Sequence, residues 1–298
     1  MGCIYTPIHS PYTRRPCSYL GMGTARRYRP GMRIYAMANQ KGGVGKTTTT
    51  INLAATLAGY GRRVLTVDWD PQGHLTEAIG AQAAESATLA KALLGQWSGE
   101  LAELVQQVDS GLFVLPTSDD MFLLEPQMYG RSGREYLLSR FLDALVGVFD
   151  DVVIDCPPSL GALNDNALVA TRRRPASDQV EGKIVIPVQA EDSSIRALRL
   201  FLRQVSTLQD ALRIELEIAG MVVNQYDGRK GRIATSTLAA FEGHPLGVLA
   251  VFKDLKEVRE SWRKHTTVVE HAPDSDTASG FRELVRRLDP ELAAAVAS

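Results

Sequence analysis

Lys41-Gly42-Gly43-Val44-Gly45-Lys46-Thr47-Thr48 follows the apolar run Ile34–Ala38 and opens a segment of helical period, and how it is read decides the fold. Glycines at these positions let the backbone curl around an anion, so that successive N–H groups point inward at the positive end of the following helix. Lys46 supplies a point charge for outer phosphates, and Thr47 a hydroxyl for Mg²⁺. Gly42, Gly43, Val44, Gly45 and Thr48 complete the cradle. The general phosphate-loop pattern asks for Gly, four free positions, Gly-Lys and then Ser or Thr. Gly45-Lys46-Thr47 fits, but Gln40 stands where the first glycine belongs, and Lys41-Gly42-Gly43 takes its place at the front. The loop is therefore a deviant form carrying an extra lysine.

A glycine cluster by itself is equally well a tight strand-to-helix turn that holds no ligand. Two acidic strand ends argue for a ligand. Val64–Val67 is apolar and β-branched enough for a buried strand and runs into Asp68-Trp69-Asp70-Pro71-Gln72-Gly73. Val152-Val153-Ile154 does the same and delivers Asp155, then Cys156-Pro157-Pro158-Ser159. Three strand ends thus converge on one rim, where open α/β sheets bind ligands.

Taken together, KGGVGKTT at 41–48, DWDPQG at 68–73 and DCPPS at 155–159 resemble the ParA/Soj/MinD family of deviant Walker-A ATPases, over about residues 33–290. The resemblance is greatest to partition ATPases of plasmids and chromosomes. It implies an α/β, three-layer P-loop NTPase fold with a mostly parallel central sheet flanked by helices, and ATP and Mg²⁺ as cofactors. Under it, Thr47 binds Mg²⁺ directly, Asp155 holds the ion through a coordinated water, and Asp70 orients the attacking water. Asp68 is either an outer support of the metal or a cap on its strand end. Lys41, with no task in its own loop, is implied to reach across a homodimer to the partner's ATP. Otherwise it is a solvated loop lysine.

The resemblance also matches Asn224 to a position where an amide pairs with the adenine edge, although a strand-terminal Asn that starts a turn reads the same way. Nonspecific DNA binding by the nucleotide-bound dimer is implied, with Arg229, Lys253 and Arg259 as candidate contacts and Lys230, Arg232, Arg263 and Lys264 nearby. Each alone is also an ordinary solvated charge. A ParB-like centromere-binding partner would stimulate hydrolysis, and the protein would be cytoplasmic and nucleoid-associated. Two departures stand out: Val251-Phe252 where the family often has Pro-Arg, and His74 where Asn is common. The alternatives are a MinD-like positioning ATPase, a noncatalytic ATP-gated DNA-binding regulator, and a P-loop metabolic synthetase.

Composition sets bounds on all of these. The chain has 298 residues, 45% apolar content and net charge −1, enough for one large core and too neutral for a basic coat, so DNA contact needs a local patch. Cys3, Cys17 and Cys156 show neither pairing nor metal spacing. No apolar run approaches the roughly 18 residues of a membrane span. The stripe Phe281, Leu284, Val285, Leu288 has the spacing of an amphipathic helix, and core packing is expected of it rather than stable membrane association.

Residues 1–31 carry Arg14, Arg15, Arg26, Arg27 and Arg29 with no acidic residue, and four prolines. They read as a disordered basic arm, a mis-assigned start upstream of Met32, or a targeting peptide that the prolines disfavour. Residues 32–298 read as a single P-loop ATPase domain. Further strands are expected at Leu112–Leu115, Ile184–Val188, Ile218–Val223 and Val248–Phe252. Helices are expected at Thr47–Ala58, Arg134–Val148, Ser194–Leu212, Arg232–Phe241 and Ser279–Leu288. The stretch 172–182 reads as a surface loop whose arginines form a solvated tip or an anion contact.

Overall fold

Alternation along the apolar runs builds the layers. In β1 (Met32–Met37), Met32, Ile34 and Ala36 bury into one cluster and Tyr35 and Met37 into another, because successive strand side chains point to opposite faces. The other strands are β2 (Val64–Asp68), β3 (Gln106–Asp109), β4 (Leu112–Leu115), β5 (Asp151–Asp155), β6 (Val180–Gln189), β7 (Ile218–Tyr226) and β8 (Val248–Lys253). In β5, Val152 and Ile154 join the first cluster and Val153 the second; in β6, Ile184 and Ile186 join the first and Val185 the second. A sheet buried on both faces is the condition under which strands read as continuous apolar runs.

The computed structural model describes residues 31–174, 179–253 and 256–297. Residues 1–30 of the predicted arm, with Cys3 and Cys17, and residues 175–178 of the predicted surface loop lie outside the described residues. The strands form an eight-stranded sheet in the order β3-β4-β2-β5-β1-β6-β7-β8. Every neighbouring pair is parallel except β3 with β4. β1 therefore lies near the middle with β5 and β6 on its two sides, and β2 is next to β5. This places the carboxyl ends that carry Lys41, Asp155 and Asp68 side by side: Asp68 and Asp155 are register partners, as are Met37 and Asp155.

One face is covered by the helices Lys46–Gly59 and Asp276–Leu288, through Leu53, Ala54, Leu57, Phe281, Leu284, Val285 and Leu288. The other face is covered by helices that include Leu137–Asp143, Ala162–Ala170 and Asp192–Leu212. The stripe at 281–288 is thus buried in the core, as expected. Among the described residues no helix is long and apolar enough to cross a membrane.

Three expectations need correction. The helix expected over Arg134–Val148 is a 3-10 turn, Arg134–Tyr136, followed by a helix that stops at Asp143; Gly147 then adopts a positive φ of 84°. β3 was not expected, because Gln106, Gln107 and Asp109 are polar and Val108 is exposed, the pattern of an edge strand. Finally, within the loop expected over 172–182, Arg172 and Arg174 are half-buried and both bind Asp143, only Arg173 is solvated, in an exposed pair with Glu215, and residues 180–182 already belong to β6.

Candidate functional site

The loop between β1 and its helix turns on two glycines with positive φ, Gly43 at 73° and Gly45 at 83°. Gly45 has a second reason to be glycine. A Cβ there would lie 2.7 Å from Nδ2 of Asn224, closer than packed atoms approach. The helix starts at Lys46, directly after Gly45, so its unpaired N–H groups face the loop.

Asn224 fills the space that Gly45 leaves. Its Nδ2 donates to Val44 O at 2.9 Å and Thr49 Oγ1 at 3.1 Å, with Gly45 O at 3.5 Å. An amide nitrogen has two hydrogens. Both are committed to the loop and its helix, so only the Asn224 carbonyl remains to accept from a base. The geometry makes Asn224 first a clamp on the phosphate loop.

Lys46 is 7% exposed, and its Nζ donates to Lys41 O at 3.3 Å. Burial pushes its pKa down, while Asp155 and Asp70 pull it up. Asp68, Asp70 and Asp155 are all buried. Asp155 is pushed up to about 8, first by burial and then by the charge of Asp68. Asp68 is pushed up to about 6 by burial, against the bonds it accepts from Thr76. Three buried carboxyl groups are thus crowded beside one buried lysine, and the upward push on Asp155 and Asp68 marks a site short of positive charge.

The two readings of Asp68 can now be compared. Its Oδ2 accepts from Thr76 N at 2.8 Å and Thr76 Oγ1 at 2.6 Å, tying the strand end to the short helix His74–Ala78. Its Oδ1 is buried and has no hydrogen-bond partner among the described residues. The cap is therefore real, and Oδ1 takes no part in it. Asp70 Oδ1 accepts from Gln72 N at 3.0 Å and shapes the turn after β2.

The residues fit a nucleotide with a divalent cation. The orphaned Asp68 oxygen, the raised Asp155 carboxyl and the N–H groups at the helix start supply what Mg²⁺ and phosphate require. Among the described residues no three His, Cys, Asp or Glu side chains converge as a metal-ligand group.

Lys41 does not point into open solvent. Its Nζ lies 2.5 Å from Glu191 Oε2, 3.0 Å from Ser193 Oγ and 3.5 Å from Ser194 Oγ. Gln189 and Gln225 also hold the loop, each donating from Nε2 to Gly43 O, at 3.0 and 3.2 Å. Sequence reasoning missed Glu191, and it assigned no role to Gln189 or Gln225, although the runs that hold them, 186–189 and 224–229, resemble those of the family. Glu191 lies two residues past the end of β6, at the same rim, and this position was the signal available.

Beside the loop lies a cleft of about 510 Å³ whose lining includes Gly45, Thr48, Asn224, Phe252, Lys253, Arg259 and Trp262. Phe252, one of the two departures, stacks on Phe281 with ring centres 4.3 Å apart. Of the predicted DNA contacts, Lys253 and Arg259 are exposed and border this cleft. Arg229 is 91% exposed, but its guanidinium is paired with Asp227 at 2.9 Å.

Comparison with known proteins agrees with this geometry. A protein-family model described as AAA domain matches residues 32–218. The chromosome-partitioning ATPase Soj of Thermus thermophilus is 34% identical over 265 residues, 87% of this chain and 96% of that protein. The chromosome partitioning protein ParA of Caulobacter vibrioides is 36% identical over 201 residues, 66% of this chain and 71% of that protein. An uncharacterised protein of Mycobacterium tuberculosis is 38% identical over 198 residues, 66% of this chain; the match spans 59% of that relative's length. Among solved structures, the cobyrinic acid a,c-diamide synthase of Mycobacterium smegmatis, with bound ATP analogue and magnesium, superposes with a TM-score of 0.71 at 34% identity, covering 87% of this chain and 96% of that one. The loop, the acidic strand ends, the sheet order and these relatives agree: the chain belongs to the AAA-domain family of ParA- and Soj-type P-loop ATPases.

Proposed function

We propose that the protein is a Mg²⁺-dependent ATPase that dimerises on ATP, binds DNA nonspecifically as that dimer, and segregates a plasmid or chromosome. A ParB-like partner stimulates its weak intrinsic hydrolysis and releases it from DNA. The observation that carries this reading is the convergence of Lys41, Lys46, Asp70 and Asp155 on one rim, in a chain whose relatives are named for chromosome partitioning.

Each residue has a task. The N–H groups of Gly42 to Thr48 hold the phosphates, Lys46 neutralises the outer two, and Asn224 keeps the loop in shape. Asp70 orients a water in line with the terminal phosphate. Thr47 and Asp155 would hold Mg²⁺, which when bound would draw charge from the phosphate oxygens. Lys41 leaves Glu191 and reaches the partner's triphosphate, where its charge is worth several kcal/mol once water is excluded. The Lys41–Glu191 pair is partly exposed, 23% and 46%, so breaking it costs about 1 kcal/mol or less. Arg229, Lys253 and Arg259 contribute to the DNA surface, and such phosphate contacts weaken steeply with salt.

The test is DNA binding over a salt series with ATP, ADP and no nucleotide, for the wild type and Lys41→Ala. ATP-dependent, salt-sensitive binding that Lys41→Ala abolishes is expected; equal affinity in all three states overturns the reading. A second reading is favoured by the 34% identical diamide synthase: an enzyme that uses ATP to activate a carboxylate for amidation. Single-turnover phosphate release separates the two. Stimulation by DNA and a centromere-binding protein supports partition, whereas release that requires an organic acid and a nitrogen donor supports the synthetase.

A further inference from the structure

The helix Asp192–Leu212 buries Ser194, Leu198, Phe201, Val205 and Leu208 against the sheet. Turned by 100° per residue, Arg196, Arg199 and Arg203 stand on the opposite side, and all three are exposed. Between Ser193 and Gln209 this helix contains these arginines and no acidic residue; Asp192 and Asp210 share the outer side only at its two ends. None of the three makes an ion pair or side-chain hydrogen bond among the described residues. Arginines on another helix are neutralised, Arg286 and Arg287 both pairing with Glu283. A row of arginines left unpaired in a chain of net charge −1 is a local positive patch of the kind that a polyanion requires.

We propose that Arg196, Arg199 and Arg203 form a rail that contacts the phosphate backbone of duplex DNA, a surface separate from Arg229, Lys253 and Arg259. The proposal rests on the DNA-binding reading above. Seven residues of helix span about 10 Å, the axial run of about three phosphates on one strand of B-DNA. The guanidinium fork suits phosphate oxygens. Leu200, 39% exposed, is the one large apolar side chain of residues 196–203 that is exposed, too little for a peptide groove. The rail also starts five residues, about one and a half turns, from Glu191, which holds Lys41, so it is continuous with the nucleotide rim.

The experiment measures duplex-DNA affinity of the full chain with ATP and Mg²⁺ over 50 to 300 mM salt. It compares wild type, Arg196→Ala/Arg199→Ala/Arg203→Ala, and a charge control, Arg286→Ala/Arg287→Ala. Intrinsic ATP hydrolysis of the triple variant should match wild type, which reports an intact fold. The slope of log K against log salt is expected to become less negative by about 0.9 for each rail arginine removed, with little change in the control. An unchanged slope overturns the rail while leaving DNA binding standing, and so does an equal change per arginine in the control. Unchanged DNA binding with loss of partner-stimulated hydrolysis assigns the rail to an acidic protein instead and also overturns it. Absence of DNA binding by the wild type overturns both proposals.

Discussion

Lys41 and Glu191, 150 residues apart in sequence, meet at 2.5 Å where β1 and β6 end side by side. The lysine set apart by the phosphate loop's unusual front is held by its own chain. If the held form competes with the dimer, Glu191→Gln should tighten ATP-dependent dimerisation by up to about fivefold for each of the two lysines released, roughly 25-fold in all, the size of two partly exposed ion pairs. Lys41→Ala should abolish it. Sedimentation with a slowly hydrolysed ATP analogue measures both, and a weaker dimer for Glu191→Gln would show that the carboxylate positions the lysine for the partner.

Asn224→Ala removes the clamp on Val44 and Thr49. Each buried bond lost costs about 1 kcal/mol, so ADP and ATP affinity should fall roughly ten- to hundredfold, read by calorimetry. Gly45→Ala places a Cβ against the same amide and strains a positive φ. It should be at least as damaging, and the double variant should lose much less than the sum of the two.

Asp155→Asn relieves crowding among buried carboxylates, since Asp155 is held protonated up to about pH 8 by burial and by Asp68. The nucleotide-free protein should gain thermal stability. The same variant should lose the extra stabilisation that Mg²⁺ adds to ADP binding. Thermal denaturation with ADP, with and without Mg²⁺, reads both; a fall in nucleotide-free stability would refute the crowding account.

Far from the loop, Arg62 Nε donates to Asp151 Oδ2 at 2.7 Å, with the side chains 9% and 0% exposed. Arg62→Ala leaves that carboxylate buried and unpaired, which should cost about 3–5 kcal/mol in urea unfolding. Asp151→Asn added to Arg62→Ala should recover part of it.

Of the three tryptophans, Trp262 borders the cleft, whereas Trp69 is fully buried and donates to Leu163 O, and Trp97 packs against the core away from the cleft. Nucleotide binding should therefore change tryptophan emission in wild type and not in Trp262→Phe. An unchanged response in the variant would move the base elsewhere.

Much of the fold was legible because the central strands are buried on both faces and so read as unbroken apolar runs, Val152–Ile154 and Ile184–Val188 among them. The edge strand Gln106–Asp109 was not, since its partner satisfies one side only and its residues are polar. The helix Met121–Met128 was hidden by Pro126 within it. At the site, the loop and the acids lie in contiguous motifs and could be read. The hold on Lys41 and the clamp from Asn224 join residues brought together only by the sheet, and no local spacing encodes them.

The clamp has a consequence for synthesis on the ribosome. Asn224 follows Val44 by 180 residues, so at about 5–20 residues per second a nascent chain carries an unsupported phosphate loop for roughly 10–35 seconds. During that interval the emerging chain cannot retain nucleotide tightly, and newly made molecules acquire ATP only after β7 has joined the sheet.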